Sequence, residues 1–397
     1  MTAFRRVKGF WTIRCVTIRP RTIFWTMLVL RCSFLASRVI VGLAVAIALR
    51  GPTCHAPDNG TVSRVEQAAT DPAESYLQTG WDRFNRREYE AAIASFRQAT
   101  TIKPDLAPAY FGLALSLANL GRHQEALEYF KRTTELRPDL TAAFLNLGLT
   151  YEQLNDHLSA LDAFARAARL SPDDARTHFQ LGATYHKLGE HNKAIAEFSE
   201  AVRLAPRFDA AYLGVGVAQA AIGQYARAID ALTVAVALRP DSLDAHLALG
   251  STYGNLDRWS EALASLERAA ALDPGNREAQ YSVARALGKL GRLEEALTRY
   301  REVLRLSPDD AEAHFRTGLT LLDLHRADQA IEEFGETIRL QPDYAAARFN
   351  LSLAYRELGR NDEAWAQQRA LVPIDANLAR QLELLLGPAT KARKHEN

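Results

Sequence analysis

At 397 residues the chain is too long for one ordinary core, so its length calls for two or three domains or a repeat array. Its 48 Lys and Arg against 47 Asp and Glu give a formal charge of +1, but nine of the basic residues (Arg5, Arg6, Lys8, Arg14, Arg19, Arg21, Arg31, Arg38, Arg50) and no acidic one fall in residues 1–50, which leaves 39 basic against 47 acidic, a body near −8. A mildly acidic body lacks the basic footprint that phosphate-backbone binding needs, so nucleic acid is excluded as the expected partner.

Residues 1–49 read as a signal peptide or membrane anchor. A basic start with scattered apolar runs leads to Arg38 and then to the uninterrupted stretch Val39 to Leu49, VIVGLAVAIAL. Eleven helical residues span roughly 16 Å, about half of a ~30 Å hydrocarbon core. Extending back through Phe34 and Leu35 buries Arg38, so membrane attachment through residues 34–49 is the weaker reading. A signal-peptide core fits better, with Ala46-Ile47-Ala48 as the small-x-small cleavage site. The leader is long, and a start at Met27 gives one of ordinary length. The expectation is an exported or cell-envelope protein, or a cytoplasmic one if the leader is a mis-called start. Cys54 does not make a lipoprotein, because Gly51-Pro52-Thr53 lacks the Leu at minus three of a lipobox.

Residues 50–72, with Pro52, Pro57, Gly60 and Pro72, read as a flexible linker, and the sequon Asn59-Gly60-Thr61 within it is too short a match to weigh. Cys15, Cys32 and Cys54 all precede the repeats, so the folded body has no disulfide or thiol chemistry, which fits either redox compartment.

From Ala73 onward one pattern recurs. Ala175 to Phe208 shows it well: a helix to about Leu188, a turn at Gly189-Glu190, and a second helix to Leu204 before Pro206. Isolated helices of about 12 to 15 residues are marginal in water, so each pair must bury its apolar stripes against its neighbours. Pro104, Pro138, Pro172, Pro206, Pro240, Pro274, Pro308 and Pro342 each follow the last by 34 residues. They define eight units over residues 73–344 and a degenerate ninth over 345–378, followed by the end of a capping helix and a basic tail over 379–397.

The eighth position is always small (Gly80, Ala114, Gly148, Gly182, Gly216, Gly250, Ala284, Gly318, Ser352), and the twentieth is Ala in every unit, Ala92 to Ala364. Close helix approach explains both columns, since a larger side chain there costs about 1 to 3 kcal/mol. The twenty-fourth supplies bulk (Phe96, Phe130, Phe164, Phe198, Leu232, Leu266, Tyr300, Phe334) until Gln368, which is expected of a terminal unit with less to pack against. Asn377 to Leu386, before Gly387-Pro388, reads as a cap over the last exposed face.

A 34-residue period with small, aromatic and proline columns resembles the tetratricopeptide repeat (TPR) family, over residues 73 to about 378. The resemblance implies an all-α, right-handed superhelical solenoid of antiparallel helix pairs. It also implies a concave surface lined by first helices that holds a protein or peptide partner.

In that geometry the fifth, ninth, twelfth and thirteenth positions of a first helix face inward. The candidate groove is Leu77, Trp81, Phe84, Phe111, Leu115, Leu145, Leu149, Phe179 and His186. Its ninth column is greasy through Val217 and turns polar at Ser251 and Arg285. Trp81 and Phe84 are expected to be exposed, having no preceding unit to cover them, so units one to three should bind an apolar or amphipathic segment.

No catalytic constellation emerges, and no cofactor or metal site is expected. Gly214-Val215-Gly216 lacks the third glycine of a dinucleotide fingerprint, and no G-x-S-x-G, Walker loop or H-E-x-x-H occurs. His123, His157 and His191 form one column and His178, His246 and His314 another, but equivalent atoms in adjacent units lie about 8 to 10 Å apart, too far for shared zinc. Both columns replace Tyr, Trp or Phe of sister units and read as packing. His186 and His191 flank one turn, a poor metal site without a third ligand. Glu125, Glu197 and Glu267 read as a solvated face.

The main reading is a non-catalytic interaction scaffold. Two alternatives stand beside it. An accessory arm of a sugar-transferring enzyme system would carry an asparagine ladder at the sixth position, where this chain has Gln78, Gly112, Asn146, Gln180, Gly214, Ala248, Ser282, Arg316 and Asn350. A cytoplasmic chaperone-adaptor would need Lys and Asn at the fifth and ninth positions, which are mostly apolar here.

Overall fold

Each 34-residue unit becomes two helices because its two breakers act at fixed places. In the computed structural model, which describes residues 71–387, the fifteenth position always has positive φ: Gly121, Gly189, Gly223, Gly291 and Gly359 at 74–79°, and Arg87, Asn155, Asp257 and His325 at 57–63°. One residue later the backbone N–H bonds back to the eleventh position's carbonyl (Arg122 to Leu117, 2.9 Å; Glu190 to Tyr185, 2.9 Å), the closure that ends a helix through a left-handed residue. The second breaker is the proline column, ahead of which the backbone turns extended at Lys103, Asp273 and Gln341.

The helix pairs are α1 (Pro72–Asn85) and α2 (Tyr89–Ile102), α3 (Ala107–Asn119) and α4 (His123–Leu136), α5 (Thr141–Gln153) and α6 (His157–Leu170), then α7 (Ala175–Lys187) and α8 (His191–Leu204). The array continues through α9 (Asp209–Ala221) and α10 (Tyr225–Leu238), α11 (Leu243–Asn255) and α12 (Trp259–Leu272), and α13 (Arg277–Lys289) and α14 (Leu293–Leu306). It ends with α15 (Ala311–Asp323) and α16 (Ala327–Leu340), α17 (Ala345–Glu357) and α18 (Asn361–Leu371), and the capping helix α19 (Ala376–Leu386). No strand occurs among the described residues, and the fold is an all-α solenoid of antiparallel pairs. Each helix packs on its partner and on the next pair, and first helices also meet across units, as α1 and α3 or α7 and α9 do. That contact places the first helices on the inner side of the curve.

The thirty-fourth position starts the next helix with a polar cap or with a packed ring, except at Leu106 and Leu140, whose side chains make no cap hydrogen bond. Asp174, Ser242, Asn276 and Asp310 cap the next first helix by accepting its N–H groups, for example from Ala279 to Asn276 Oδ1 at 3.0 Å. Phe208 and Tyr344 instead pack their rings, tilted by 41° and 39°, against Phe179 and Phe315, with centroids 5.1 and 5.0 Å apart.

The small and bulky columns meet as expected. Phe96, Phe130, Phe164 and Phe334 are fully buried, each worth about 1.5 to 3 kcal/mol, and every twentieth-position Ala has zero exposure. A Cβ on Gly182 or on Gly214 of the next unit would come within 2.7 Å of the Phe198 ring, which therefore fills a slot between two glycines. Gly214-Val215-Gly216 is thus a packing feature, and glycine at the sixth position has its own structural reason.

Three expectations change. Pro72 is the first residue of α1, capped by Asp71 Oδ1 at 3.0 Å from Ala73 N, rather than the end of a linker. The cap runs Ala376–Leu386, one residue longer at its start than the expected Asn377 to Leu386. Gln368 is buried at 7% exposure and donates to Ala379 O at 3.3 Å; it is the polar partner of the capping helix, not a residue with less to pack against. The leader, most of the linker and the basic tail lie outside the described residues.

Candidate interaction surface

The inner face of units one to four is less open than the sequence suggests. Phe84 is only 4% exposed, because its ring packs on Trp81 (5.6 Å) and on Tyr89 (5.4 Å) of its own unit, so no preceding unit is needed to cover it. Leu115, Leu145, Phe179 and His186 are also buried, at 8–9%. Leu77, Trp81, Phe111 and Leu149 remain half-buried. The candidate residues therefore divide into a floor and four side chains that still present surface, and Trp81 is the largest of these. Its ring sits edge-on to Phe84 and to Phe96 (5.2 Å).

Polar joints interrupt the strip further along. Glu152 of unit three accepts from Thr184 Oγ1 at 3.0 Å and from Lys187 of unit four, and its Oε1 lies 3.2 Å from His157 Nδ1. His186 and His191 meet across their turn with Nδ1 atoms 3.2 Å apart. Burial, with the neighbouring His191 charge, drives the His186 pKa down to about 4, and burial also lowers that of His191.

In units seven and eight Glu312 gathers Tyr281 Oη at 3.2 Å, Arg316 Nε at 2.7 Å and the Tyr344 hydroxyl. Burial pushes the Tyr281 hydroxyl up to about 12. Arg285 and Lys289 lie over the Trp259 ring at 5.6 and 5.9 Å. An open groove of about 540 Å³ beside this cluster is lined by Arg277, Asp309, Asp310, Glu312 and Gln341, with Arg277 paired to Asp310.

The second histidine column does more than fill space. Its fourth-position side chains reach back to the proline carbonyl six residues earlier: His178 to Pro172 (3.0 Å), His246 to Pro240 (3.0 Å), Gln280 to Pro274 (3.1 Å), His314 to Pro308 (3.0 Å) and Arg348 to Pro342 (3.0 Å). In four of the five the other end meets the twenty-third position on the second helix: His178 with Glu197 at 2.7 Å, His314 with Glu333 at 2.6 Å, Arg299 donating to Gln280 at 3.1 Å, and Arg348 to Gln367 at 3.4 Å, whereas His246 Nδ1 is buried without a hydrogen-bond partner. Glu197 is accordingly a staple partner rather than part of a solvated face. The pairing of polar types at positions four and twenty-three was the signal available in the sequence.

Tetratricopeptide-repeat profiles match residues 77–141, 113–175, 145–207, 179–242 and 315–379, a second such profile matches 219–285, and a TPR-repeat profile matches 284–325. The chain belongs to the tetratricopeptide repeat family. No curated protein matches it at a significant level. Among solved structures it is similar to YrrB, a TPR protein with an unusual peptide-binding site, at 26% identity over 47% of this chain and 96% of that one, TM-score 0.43. It is also similar to TTC0263, a thermophilic TPR protein in Thermus thermophilus, at 29% over 46% and 100%, TM-score 0.38. A third similarity is to the APC/C hetero-tetramer Cut9-Hcn1, at 21% over 70% of this chain and 55% of that one, TM-score 0.48.

TPR arrays are typically non-catalytic, and a protein-interaction scaffold is the general function that the repeats support for this chain. Among the described residues no group of three metal-ligating side chains occurs, and no helix is long and apolar enough to cross a membrane.

Proposed function

We propose that the chain is a non-catalytic scaffold that holds an apolar or amphipathic segment of a partner protein against the first helices of units one to three. Residues 1–49 export it or tether it at the cell envelope. The observation that supports the binding reading best is Trp81, a large ring half-buried on the inner face of the first unit and held in one orientation by Phe84 and Phe96. A pre-oriented aromatic loses little freedom on binding and still has area to bury. Leu77, Phe111 and Leu149 are half-buried at inner-face positions of the same three units, and together they suit an amphipathic helix or an extended segment. The envelope reading rests on the apolar run Val39 to Leu49 and the Ala46-Ile47-Ala48 site.

The binding test is selection of amphipathic peptides from a displayed library against the full chain, followed by titration of wild type, Trp81→Ala and Trp81→Phe. Burying the ring should contribute about 1.5 to 3 kcal/mol, so Trp81→Ala is expected to weaken selected peptides about tenfold or more while Trp81→Phe retains most affinity. Circular dichroism of each variant separates lost binding from lost folding. Equal affinity of a folded Trp81→Ala protein would refute the N-terminal site. Sequencing of the mature N-terminus from the native host checks the leader: a start near Leu49 is expected, and retention of residues 1–48 would leave only the anchor.

A further inference from the structure

We infer that His186 and His191 form a two-histidine site for a transition-metal ion, Cu²⁺ foremost. Their Nδ1 atoms are 3.2 Å apart and their ring centroids 4.6 Å. Two imidazole nitrogens that each lie about 2.0 to 2.1 Å from one ion are separated by about 2.8 to 3.0 Å in adjacent positions of a square arrangement and about 3.3 to 3.4 Å in a tetrahedral one, which bracket the observed distance. The spacing therefore already has the bite of a chelate.

The approach is imposed by the scaffold. His186 is the twelfth residue of its unit and His191 the seventeenth, and the turn at Gly189 brings these positions together in other units as well. Phe84 packs on Tyr89 with centroids 5.4 Å apart, and Glu152 lies 3.2 Å from His157. Only in unit four are both positions nitrogen ligands that keep the same distance. His186 sits in α7 and His191 opens α8, so both ligands stand on packed helices rather than on a loop, which is how a built site keeps its geometry.

The surroundings tolerate a cation. Lys187 is paired with Glu152, and Lys193 with Glu190 at 3.4 Å, so each neighbouring ammonium group is offset by a carboxylate. His191 is half-exposed, whereas His186 is buried. With two protein ligands the remaining positions belong to water or to a donor from a bound partner, so the site is open and exchangeable. Imidazole donors in such a set favour Cu²⁺ over Ni²⁺ and Zn²⁺.

The test uses the full chain, stripped with chelator and titrated with CuCl₂. The readouts are absorption in the visible range and the nitrogen superhyperfine pattern of the Cu²⁺ spin resonance spectrum. One equivalent with a two-nitrogen signature is expected. His191→Gln and His186→Gln should each weaken that equivalent by more than about tenfold, the lower end of the loss seen even for outer-shell changes at built sites. His123→Gln, at the seventeenth position of unit two, should leave it unchanged. His191 is only half-buried, so its variant remains informative if His186→Gln fails to fold. A two-nitrogen signature that persists in folded His191→Gln, or copper binding with no defined stoichiometry, would overturn the assignment and leave the 3.2 Å contact as a hydrogen bond between neutral rings.

Discussion

Two glycines with equal room around them should respond to the same substitution with opposite signs. A Cβ added at Gly189 or at Gly335 meets nothing within 4 Å, so packing contributes nothing to either change. Gly335 lies in α16 with ordinary helical geometry, where Ala is the better residue by about 0.8 to 1.0 kcal/mol, and Gly335→Ala should stabilise by roughly that amount. Gly189 has φ of +78°, where an L side chain crowds its own carbonyl at about 1 to 2 kcal/mol. Part of that cost is offset by the lower chain entropy of Ala in the unfolded state, so Gly189→Ala should destabilise by about 1 kcal/mol.

By the same physics His325→Gly, at φ +58°, should stabilise by up to about 1 kcal/mol, and Asn155→Gly should be close to neutral because Asn tolerates this region. Urea unfolding followed by helical circular dichroism measures all four. If Gly189→Ala and Gly335→Ala moved the midpoint in the same direction, the turn at position fifteen would not be under conformational control, and a left-handed residue would not be what closes each first helix.

Ala194→Leu should lower the melting temperature more than Glu197→Ala. The first forces α7 and α8 apart at a site of zero exposure, for about 1 to 3 kcal/mol, and the second removes one half-buried partner of His178, for about 1 kcal/mol; equal melts would refute the register. Glu312→Gln should cost about 1 to 2 kcal/mol, because one carboxylate accepts from Tyr281, Arg316 and Tyr344, and an unchanged unfolding midpoint would count against that cluster as a joint. In metal-free protein His186 gives an acid limb. Its folded pKa of about 4 lies below the unfolded 6.5, so stability is full above pH 6.5 and falls as pH drops toward 4, on the order of 3 kcal/mol in all; His186→Gln should flatten the limb, and an unaltered slope would show that other groups carry it.

The fold was legible in the sequence because the solenoid is built from local rules repeated nine times. A proline column, a small column and a bulky column each act within one unit or on the next, so a pattern with a period of 34 residues carries nearly all the information that stacking needs. The surface was less legible. Phe84 has no preceding unit beside it, and Trp81 and Tyr89 of its own unit supply the cover once the two helices pack.

His178 and His314 looked like stand-ins for aromatic rings, since the proline carbonyl and the second-helix carboxylate that they reach are placed only once the two helices pack. Gln368 looked like a loss of core, although α19 turns it into an interior hydrogen-bond donor. Column chemistry sets which helices form and where they end. Which faces stay wet, and which polar groups meet, depends on side chains brought together across a turn or between units, and those distances exist only in the stacked array.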